Sequence, residues 1–382
     1  MRVLFICKDN PYGVGGGMFA SRAYLKSFSD ISQGNVDLFL ASHIKVDDSI
    51  KIANLYKVGE RSIFNKLSSV FSGHMHRFVR AVRKHLQMDS NYDYCVFNNS
   101  KTCGGLIDVV RSCGIKIITI HHNWEVEYFR DNTPSFIYRN LFLNHVASNE
   151  KEAFKKSDIN LFLTKQDLNI FIKEYGENTR MNKILGAYEY KKLPELESTS
   201  TKGNGLVVAI TGSLCTVQGI DGIKYFFHQL YRYLPVNSNI IISGRNPSAE
   251  VVELCHNNKN VHLIPNPDDM SAVISSADIY LCPTRLGGGL KLRVMDGLRL
   301  GIPVITHSCS ARGFDDIIEK GFMFVFEDEK SFKNIINEVV NIIKRGDINR
   351  SLVRKAYEEI YSYEAGTKRL SDTLTEFSTK CR

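Results

Sequence analysis

The chain has 382 residues, of which 43% are hydrophobic and 24% are charged, and its net charge is +8. This length is too great for one ordinary core and predicts two domains, and a chain of this size needs no disulfide or metal for its stability. Nine cysteines are scattered without a CxxC pair, which argues against a disulfide framework and favours a reducing compartment.

The amino terminus is expected to form a strand rather than a targeting segment. The run MRVLFICKDN meets charge at Lys8 and Asp9, so it is too short for the apolar segment of a signal peptide. No later apolar run approaches the roughly 18 residues that a membrane span needs. We therefore expect a cytoplasmic protein.

Strands and helices alternate along the first half of the chain. A helix is expected from Met18 to Phe28. The expected strands have the sequences VLFI, VDLFLAS, YCVFN, IKIITIH and INLFLT. Short apolar runs separated by helical stretches are typical of parallel strands that are covered on both faces.

The alternation stops at Tyr190 and restarts after a polar stretch. The run KKLPELESTSTKGN, which ends at Asn204, predicts a linker. The strands expected after it are LVVAITGS, NIIISG, VHLI, IYLCP, PVIT and FMFVF, and the expected helices are GIKYFFHQLYRYL, VVELCH, DMSAVISSA and GLKLRVMDGLRL. Helices are expected again from Lys330 onward.

The predicted fold is α/β, with two doubly wound, Rossmann-like domains that face each other across a cleft. Residues 1–190 are assigned to the first domain, 191–204 to the linker and 205–363 to the second domain. Residues 364–382 are expected to form a final helix that packs back on the first domain. Ligands bind in the cleft of such folds.

The most informative stretch is Cys282–Ser308. Gly287–Gly289 lie between a strand and a predicted helix, where glycines let the backbone approach a ligand and the helix start offers N–H groups to an anion. Lys291 and Arg293 are predicted in the first helical turn. Cations there oppose the helix dipole, a local cost that a bound phosphate would reverse. The combination predicts an anion site rather than a plain flexible loop.

This stretch resembles the donor-binding segment of retaining nucleotide-sugar glycosyltransferases of the GT-B fold, often called group 1. The family pattern is a glycine-rich loop, a basic first turn, an acidic residue, a glycine cap and a G-x-P-V strand. The residues that match it here are Gly289, Lys291, Arg293, Asp296, Gly301, Pro303 and Val304. Weaker similarities lie in ITGSL, in SGRNPS and in HNWEVEYFR.

The resemblance implies that the second domain binds a nucleotide sugar. Asp296 would hold the ribose of this donor. The other donor-binding residues that it implies are Gly287, Gly288, Gly289, Leu290, Lys291, Arg293, Arg245, Gly212 and Ser213.

This sequence departs from the family pattern at three places. Asp296 is one methylene shorter than the usual glutamate, and the family's other acidic residue would fall at Gly288. The usual Arg and Lys pair after the first strand of the second domain is not evident, with Leu214 and Gln218 nearby. Lys291 and Arg293 are expected to supply the phosphate charge instead, and the identity of the donor stays open.

A second glycine cluster follows the first strand. The resemblance implies that Gly15, Gly16 and Gly17 form a loop that borders the cleft, near the acceptor and the donor phosphates. A dinucleotide-binding fingerprint is the competing interpretation. It fails because Met18 replaces the last glycine and because too many residues separate the strand from the glycines.

Two histidines follow the strand IKIITI. A histidine at a strand's carboxyl end can bind a sugar hydroxyl or a developing negative charge. The resemblance favours His122 as the catalytic residue and leaves His121 facing the core. Glu125 and Glu127 are expected to orient His122 or to position an acceptor.

Metal and nucleic-acid sites are not expected. The sequence has no Asp-x-Asp pair and no clustered Cys and His, so catalysis is predicted to need neither a metal nor another cofactor, with the nucleotide sugar as a substrate. Nucleic-acid binding is poorly supported, because basic residues are not interleaved with aromatic ones along a groove.

Residues 62–87 form an amphipathic, basic segment. Between residues 51 and 90 there are eight Lys or Arg and two acids. The segment is either a solvated surface helix or a contact for an anionic membrane or a phosphorylated lipid.

The leading hypothesis is a glycosyltransferase that moves a sugar, with retention, from a nucleoside diphosphate to a glycan or lipid-linked acceptor in bacterial surface polysaccharide or glycoconjugate synthesis. An inactive nucleotide-sugar or glycan-binding subunit is one alternative, which the glycine at position 288 favours. A nucleotide-sugar epimerase of the same fold is the other.

Overall fold

A computed structural model describes residues 1–8, 10–13, 16–59, 76–132, 136–190, 193–194 and 205–380. It divides into two compact units. The first unit comprises Met1–Tyr190 and Tyr363–Arg382, and the second comprises Lys191–Ser362.

The first unit contains a parallel sheet with the strand order β3-β2-β1-β4-β5-β6-β7. Its strands are β1 (Val3–Ile6), β2 (Val36–Ala41), β3 (Asn54–Val58), β4 (Tyr94–Asn98), β5 (Lys116–His121), β6 (Ile159–Phe162) and β7 (Met181–Ile184). The strand order reverses next to β1, whose Val3 pairs with Val36 on one side and with Tyr94 on the other. Ligands of open α/β sheets bind beyond the carboxyl ends of the strands at such a point.

Five of these strands were predicted, and the two at the sheet edges were not. The central strands are wholly or almost wholly buried, so their sequences are continuous apolar runs. The edge strand β3, with the sequence NLYKV, is largely exposed, and the edge strand β7, with the sequence MNKI, is mostly half-buried. An edge strand is only partly buried by neighbouring elements, so it can contain polar residues. These two strands therefore lack the continuous apolar run by which the others were predicted.

Six helices described in the first 190 residues connect these strands. They are α1 (Gly16–Ile31), α2 (His76–Met88), α3 (Ile107–Ser112), α4 (Glu125–Asn132), α5 (Phe136–Lys156) and α6 (Lys165–Tyr175). The first helix begins at Gly16, two residues before the predicted start at Met18. None of the helices in the described parts of the chain is long and apolar enough to cross a bilayer.

The second unit contains a parallel sheet with the order β10-β9-β8-β11-β12-β13. Its strands are β8 (Val207–Ser213), β9 (Asn239–Arg245), β10 (Val261–Pro265), β11 (Ile279–Cys282), β12 (Val304–His307) and β13 (Met323–Phe326). All six coincide with predicted apolar runs. The order reverses between β8 and β11, so the carboxyl ends of these two strands mark the expected ligand position.

Helices cover both faces of this sheet. They are α7 (Val217–Tyr225), α8 (Ala249–His256), α9 (Met270–Ile274), α10 (Val294–Arg299), α11 (Asp315–Glu319), α12 (Glu329–Arg345) and α13 (Arg350–Tyr361). The prediction of one continuous α-helix for GIKYFFHQLYRYL is wrong. There, α7 passes into a π-turn at Phe226–Leu230 and a 3₁₀ turn at Tyr231–Tyr233.

The last helix, α14 (Tyr363–Lys380), belongs to the first unit. Gly366 lies against the ring of Tyr188, where a Cβ atom would stand 2.0 Å from the ring. Arg369 donates from Nε to the Leu185 carbonyl at 2.9 Å. The chain therefore leaves the first unit after β7, builds the second unit, and returns.

Candidate functional site

In the second unit, two glycines open the carboxyl end of the sheet at its reversal point. Gly212 on β8 pairs with Gly244 on β9, and a Cβ on Gly244 would lie 1.8 Å from the Gly212 carbonyl oxygen. A Cβ on Gly212 would lie 2.5 Å from Nη1 of Arg293. The predicted site residue Gly212 thus leaves the space that the Arg293 guanidinium fills.

The glycine loop Gly287–Gly289 follows β11. Gly287 and Gly289 have φ angles of +81° and +77°, a backbone region that favours glycine. A Cβ on Gly287 would lie 2.0 Å from Nε2 of Gln218, near the start of α7. The loop therefore needs glycine both for its backbone angles and for its packing.

Lys291 turns back onto this loop. Its Nζ donates to the carbonyls of Gly287 at 2.9 Å and Gly288 at 3.2 Å, and lies 3.4 Å from Oε1 of Gln218. The residue is only 7% exposed. Among the described residues, no carboxylate lies within ion-pair distance of this ammonium. Burial lowers the pKa of Lys291, and the cations of Arg293 and Arg312 lower it further.

The predicted first helical turn is wrong for Lys291 and Arg293. The helix α10 begins at Val294 and has six residues, with Arg293 at its cap. The segment before it forms tight turns, in which Val294 and Met295 donate to the carbonyls three residues back. The left-handed Gly289 redirects the chain, so the two cations reach the loop from a turn.

The other predicted donor residues lie around this turn. Arg293 approaches Oγ1 of Thr284 at 3.4 Å. Oδ1 of Asp296 accepts from Nη2 of the buried Arg299 at 2.9 Å. The carboxylate predicted to hold the ribose thus also forms an ion pair within the protein. Three further residues have these positions: Leu290 is half-buried within the turn, Ser213 ends β8, and Arg245 ends β9 with an exposed side chain.

Two residues beside Lys291 were not predicted as part of the site. Gln218 contacts Lys291, and Cys309 donates from Sγ to the Gly287 carbonyl at 3.4 Å. Both lie just after a strand's carboxyl end, as Gln218 follows β8 and Cys309 follows β12. This position could have identified both residues from the sequence, because the carboxyl ends of parallel strands meet at one edge of the sheet.

In the first unit, the two histidines after IKIITI have different surroundings. His121 is fully buried, stacks on Phe162 at 4.5 Å and bonds to Asn160 at 2.9 Å. Burial lowers the pKa of His121 to about 4. His122 is half-buried, and its Nε2 lies 3.0 Å from Oδ1 of Asn98. His121 thus faces the core, as expected, and His122 lies at the strand end.

Glu125 is the first residue of α4 and belongs to a buried polar network. Its Oε1 accepts from Nδ2 of Asn99 at 2.8 Å, and its backbone N–H donates to Glu150 at 3.0 Å. Burial raises the pKa of Glu150 to about 8, although Tyr175 and Ser100 donate to its carboxyl group. Glu127, two residues further along α4, is half-buried.

Asn99, which donates to Glu125 in this network, has a strained backbone conformation. Its φ is +99°, which is unusual for a residue with a side chain, and such strain clusters at functional sites. The sequence analysis missed Asn98, Asn99 and Glu150. Asn98 ends a predicted strand and Asn99 follows it, whereas Glu150 lies within α5 and had no local signal.

The predicted glycine loop of the first unit is partly helical. Gly15 lies outside the described residues, and Gly16 and Gly17 form the start of α1. A Cβ on Gly17 would meet no atom within 4 Å, so this residue faces open space. The expectation of a loop at Gly16 and Gly17 is therefore wrong, because α1 extends to them.

The basic segment is described only in its second part. Residues 62–75 lie outside the described residues, and α2 covers the rest. Phe78, Val82, His85 and Leu86 of α2 are buried. Its four exposed cations are Arg77, Arg80, Arg83 and Lys84. Across the described parts of the chain, no three His, Cys, Asp or Glu side chains converge as a metal site requires.

Comparison with known proteins agrees with this geometry. Residues 205–342 match the family described as "Glycosyl transferases group 1". A Klebsiella pneumoniae relative, described as "Uncharacterized 44.6 kDa protein in cps region", is 20% identical over 89% of this chain and 92% of its own length.

Solved structures share the fold. WaaG, described as a glycosyltransferase involved in lipopolysaccharide biosynthesis, has a TM-score of 0.67 at 17% identity, covering 97% of this chain and 98% of WaaG. HepE of Anabaena, in complex with UDP, has a TM-score of 0.69 at 13% identity, covering 98% of this chain and all of HepE. HepE has also been solved with UDP-glucose.

The two parallel sheets and the glycine loop with its buried lysine agree with the family match over residues 205–342. Both the predicted fold class and the predicted family are confirmed. Residues 205–342 therefore match the group 1 glycosyltransferases, and the chain shares the GT-B fold of glycosyltransferases of known structure.

Proposed function

We propose that this glycosyltransferase moves a sugar, with retention, from a nucleoside diphosphate to a glycan or lipid-linked acceptor in bacterial surface polysaccharide or glycoconjugate synthesis. One observation carries the donor assignment: Lys291 is buried, with neutral oxygens around its ammonium and no carboxylate among the described residues. A buried charge is costly unless a counter-charge joins it. A donor diphosphate supplies that counter-charge.

The donor is proposed to lie at the carboxyl end of the second sheet. The Gly287–Gly289 loop, Lys291 and Arg293 receive the diphosphate, and Asp296 holds the ribose. Leaving-group charge is met by these cations and by backbone N–H groups, so the reaction needs neither a metal nor another cofactor. Stabilising developing charge with preorganised groups is a major contribution to catalysis.

His122 is proposed to act on the reacting sugar. It directly follows β5 and is half-buried, whereas its neighbour His121 is enclosed by aromatic rings. His122→Ala is expected to lower kcat far more than donor affinity, since contacts made mainly in the transition state have that effect.

The known proteins support the choice of substrates. HepE binds UDP and UDP-glucose, WaaG acts in lipopolysaccharide biosynthesis, and the Klebsiella pneumoniae relative belongs to a cps region. The present chain is proposed to use a donor and a glycan or lipid-linked acceptor of the same classes. We also propose that it works in the cytoplasm and that the basic helix α2 contacts an anionic membrane, where a lipid-linked acceptor would be presented.

Thermal shift with a panel of nucleoside diphosphates and nucleotide sugars tests the donor site. A ligand at 100 times its dissociation constant should stabilise the protein by about 2.7 kcal/mol, which is enough to rank the bases. The best donor is then incubated with candidate acceptors in a chelator, and product is followed by mass spectrometry.

Transfer in the chelator, with the product retaining the anomeric configuration of the donor, would support the proposal. No stabilisation by any nucleoside diphosphate would contradict the donor site. Activity that disappears in the chelator and returns with magnesium or manganese would contradict the metal-free mechanism.

A further inference from the structure

His307 ends β12 and caps the short 3₁₀ turn Ser308–Ser310 that follows it, which we term the cap turn. Its Nδ1 accepts a hydrogen bond from the backbone N–H of Cys309 at 3.1 Å. Asparagine side chains often make the same bond, because their oxygen accepts from the N–H two residues further on. His307 therefore acts on this turn as a capping side chain acts on the start of a helix.

The cap turn contacts the glycine loop that follows β11 and the residues just before it, at two backbone carbonyls. Sγ of Cys309 donates to the Gly287 carbonyl at 3.4 Å, and this carbonyl also accepts from Nζ of Lys291 at 2.9 Å. Oγ of the buried Ser310 donates to the Thr284 carbonyl, which precedes the loop, at 2.6 Å. The position of the cap turn therefore helps to set the backbone on which the donor site is built.

The hydrogen bonds of His307 determine which of its ring nitrogens carries the proton. A backbone N–H only donates, so Nδ1, which accepts from Cys309, carries no proton. The ring also bonds to the backbone of Glu327, just after β13, and this bond favours the protonated ring, as a carbonyl acceptor does. Nε2 therefore carries the proton. The rings of Tyr225 and Phe326 meet His307 edge-on, with centroids 6.1 and 5.4 Å away, and restrict its rotation.

We propose that His307 is a positioning residue that holds the cap turn through its unprotonated Nδ1, and that the cap turn holds the glycine loop where it receives the donor diphosphate. The last step rests on the proposed function, whereas the bond between His307 and Cys309 does not. A proton on Nδ1 removes the acceptor, so acid should release the cap turn.

The surroundings of His307 set the pH at which this release occurs. Burial lowers the pKa of His307, and the Arg285 cation lowers it further, whereas Glu327 and Asp221 act in the opposite direction without cancelling the effect. Titratable groups that face the ring are Arg285 after β11, Asp221 and Tyr225 on α7, Glu327 after β13 and Cys309 in the cap turn. The ring is therefore neutral near pH 7, and the bond to Cys309 is lost only as the pH falls below about 6.5.

Amide hydrogen exchange at Cys309, followed by NMR in the unliganded protein, tests the bond without any substrate. His307→Leu removes the acceptor, so the protection factor of this amide should fall by about two- to thirtyfold, as expected for the loss of a capping side chain. His307→Asn places an oxygen where Nδ1 lies and should restore the protection. Equal protection in His307→Leu and the unmodified protein, or no restoration in His307→Asn, would overturn the proposal.

The pH dependence of the same protection factor distinguishes a titrating cap from ordinary packing. In the unmodified protein it should decrease between about pH 6.5 and pH 5, whereas in His307→Asn it should stay constant, because the amide does not titrate. His262→Leu, at an exposed position of β10, is the matched control and should behave like the unmodified protein. A protection factor that decreases equally in His307→Asn would overturn the proposal.

Calorimetry at about pH 7.5, with UDP, GDP and ADP tested in turn, separates this proposal from the proposed function. His307→Leu should weaken binding of the diphosphate by about two- to thirtyfold, and His307→Asn should restore it. If the unmodified protein and His307→Leu bind equally well, His307 does not position the glycine loop. Absence of binding to the unmodified protein would instead contradict the proposed donor site, while exchange at Cys309 still decides whether His307 holds the cap turn.

Discussion

At the scale of single residues, Lys291 is the test of the donor site. Lys291→Ala should weaken binding of a nucleoside diphosphate by about 1.5–3 kcal/mol, the range for a hydrogen bond to a charged group. Because the unliganded protein already bears the cost of this buried cation, Lys291→Met should not lower its melting temperature. Calorimetry and thermal unfolding measure the two effects.

The exposed Lys259 offers a matched control for Lys291. Lys259→Ala should leave diphosphate binding unchanged. Equal affinity of Lys291→Ala and the unmodified protein would remove the diphosphate from this loop. A large loss of stability in Lys291→Met would mean that the ammonium supports the unliganded fold.

The buried Glu150 predicts a dependence of stability on pH. Its pKa is raised to about 8 in the folded state from about 4.5, so the folded state binds the extra proton between these values. The free energy of unfolding that Glu150 contributes is therefore lost as pH rises towards 8. His121, with a pKa lowered to about 4, acts in the opposite direction below about pH 6.5.

Denaturant unfolding between about pH 6.5 and 8 isolates the effect of Glu150. Trp124, the single tryptophan, donates to Tyr175 within the same network, so its fluorescence reports on the first unit. Glu150→Gln mimics the protonated acid and should flatten the decline in stability with pH. The exposed Glu174→Gln serves as the control, and an unchanged slope in Glu150→Gln would show that this acid is ionised in the folded protein.

At the scale of elements, α2 tests contact with a membrane. Each of its exposed cations should contribute about 1 kcal/mol near an anionic surface, and salt should weaken the attraction. Serine at Arg77, Arg80, Arg83 and Lys84 should abolish the preference for anionic over neutral vesicles in co-sedimentation.

Four exposed cations of the second unit provide the comparison for α2. They are Lys330, Lys333, Lys344 and Arg345 of α12. Serine at these positions should leave vesicle binding unchanged. If both variants sediment like the unmodified protein, α2 is a solvated basic helix and the acceptor is reached from solution.

At the scale of the whole molecule, the return of α14 to the first unit predicts the effect of a truncation. Leu370 and Leu374 are buried, and burying one leucine side chain contributes about 1.5–3 kcal/mol. A chain that ends at Ser362 should therefore lose stability in its first unit, as seen by Trp124 fluorescence. Nucleoside diphosphate binding by the second unit should persist.

A milder change gives the same information if the truncated chain does not fold. Leu370→Ala should cost about 2–5 kcal/mol, whereas Leu352→Ala, at an exposed position of α13, should cost little. Unaltered Trp124 fluorescence unfolding in Leu370→Ala would mean that α14 contributes nothing to the first unit.

The local sequence pattern was enough to predict the buried strands and two parts of the candidate site. Apolar runs of four to seven residues predicted the buried strands of both sheets, because a parallel strand covered on both faces needs little else. The Gly287–Gly289 loop and the histidine pair at the end of β5 were also predicted, since strand ends and glycines can be recognised along the sequence. The edge strands β3 and β7 escaped because partial exposure permits polar residues.

Only the tertiary structure decided which of these residues meet. It placed Lys291 in a turn before α10, bonded Asn98 to His122, and brought Glu150 from the middle of α5 to Glu125. Strand order, register and turn geometry set such contacts between residues that lie far apart in the chain, and hydrophobic periodicity carries no record of them. Hydrophobic periodicity predicts which side of a helix or strand is buried. The residues that it contacts on that side depend on how the whole sheet assembles.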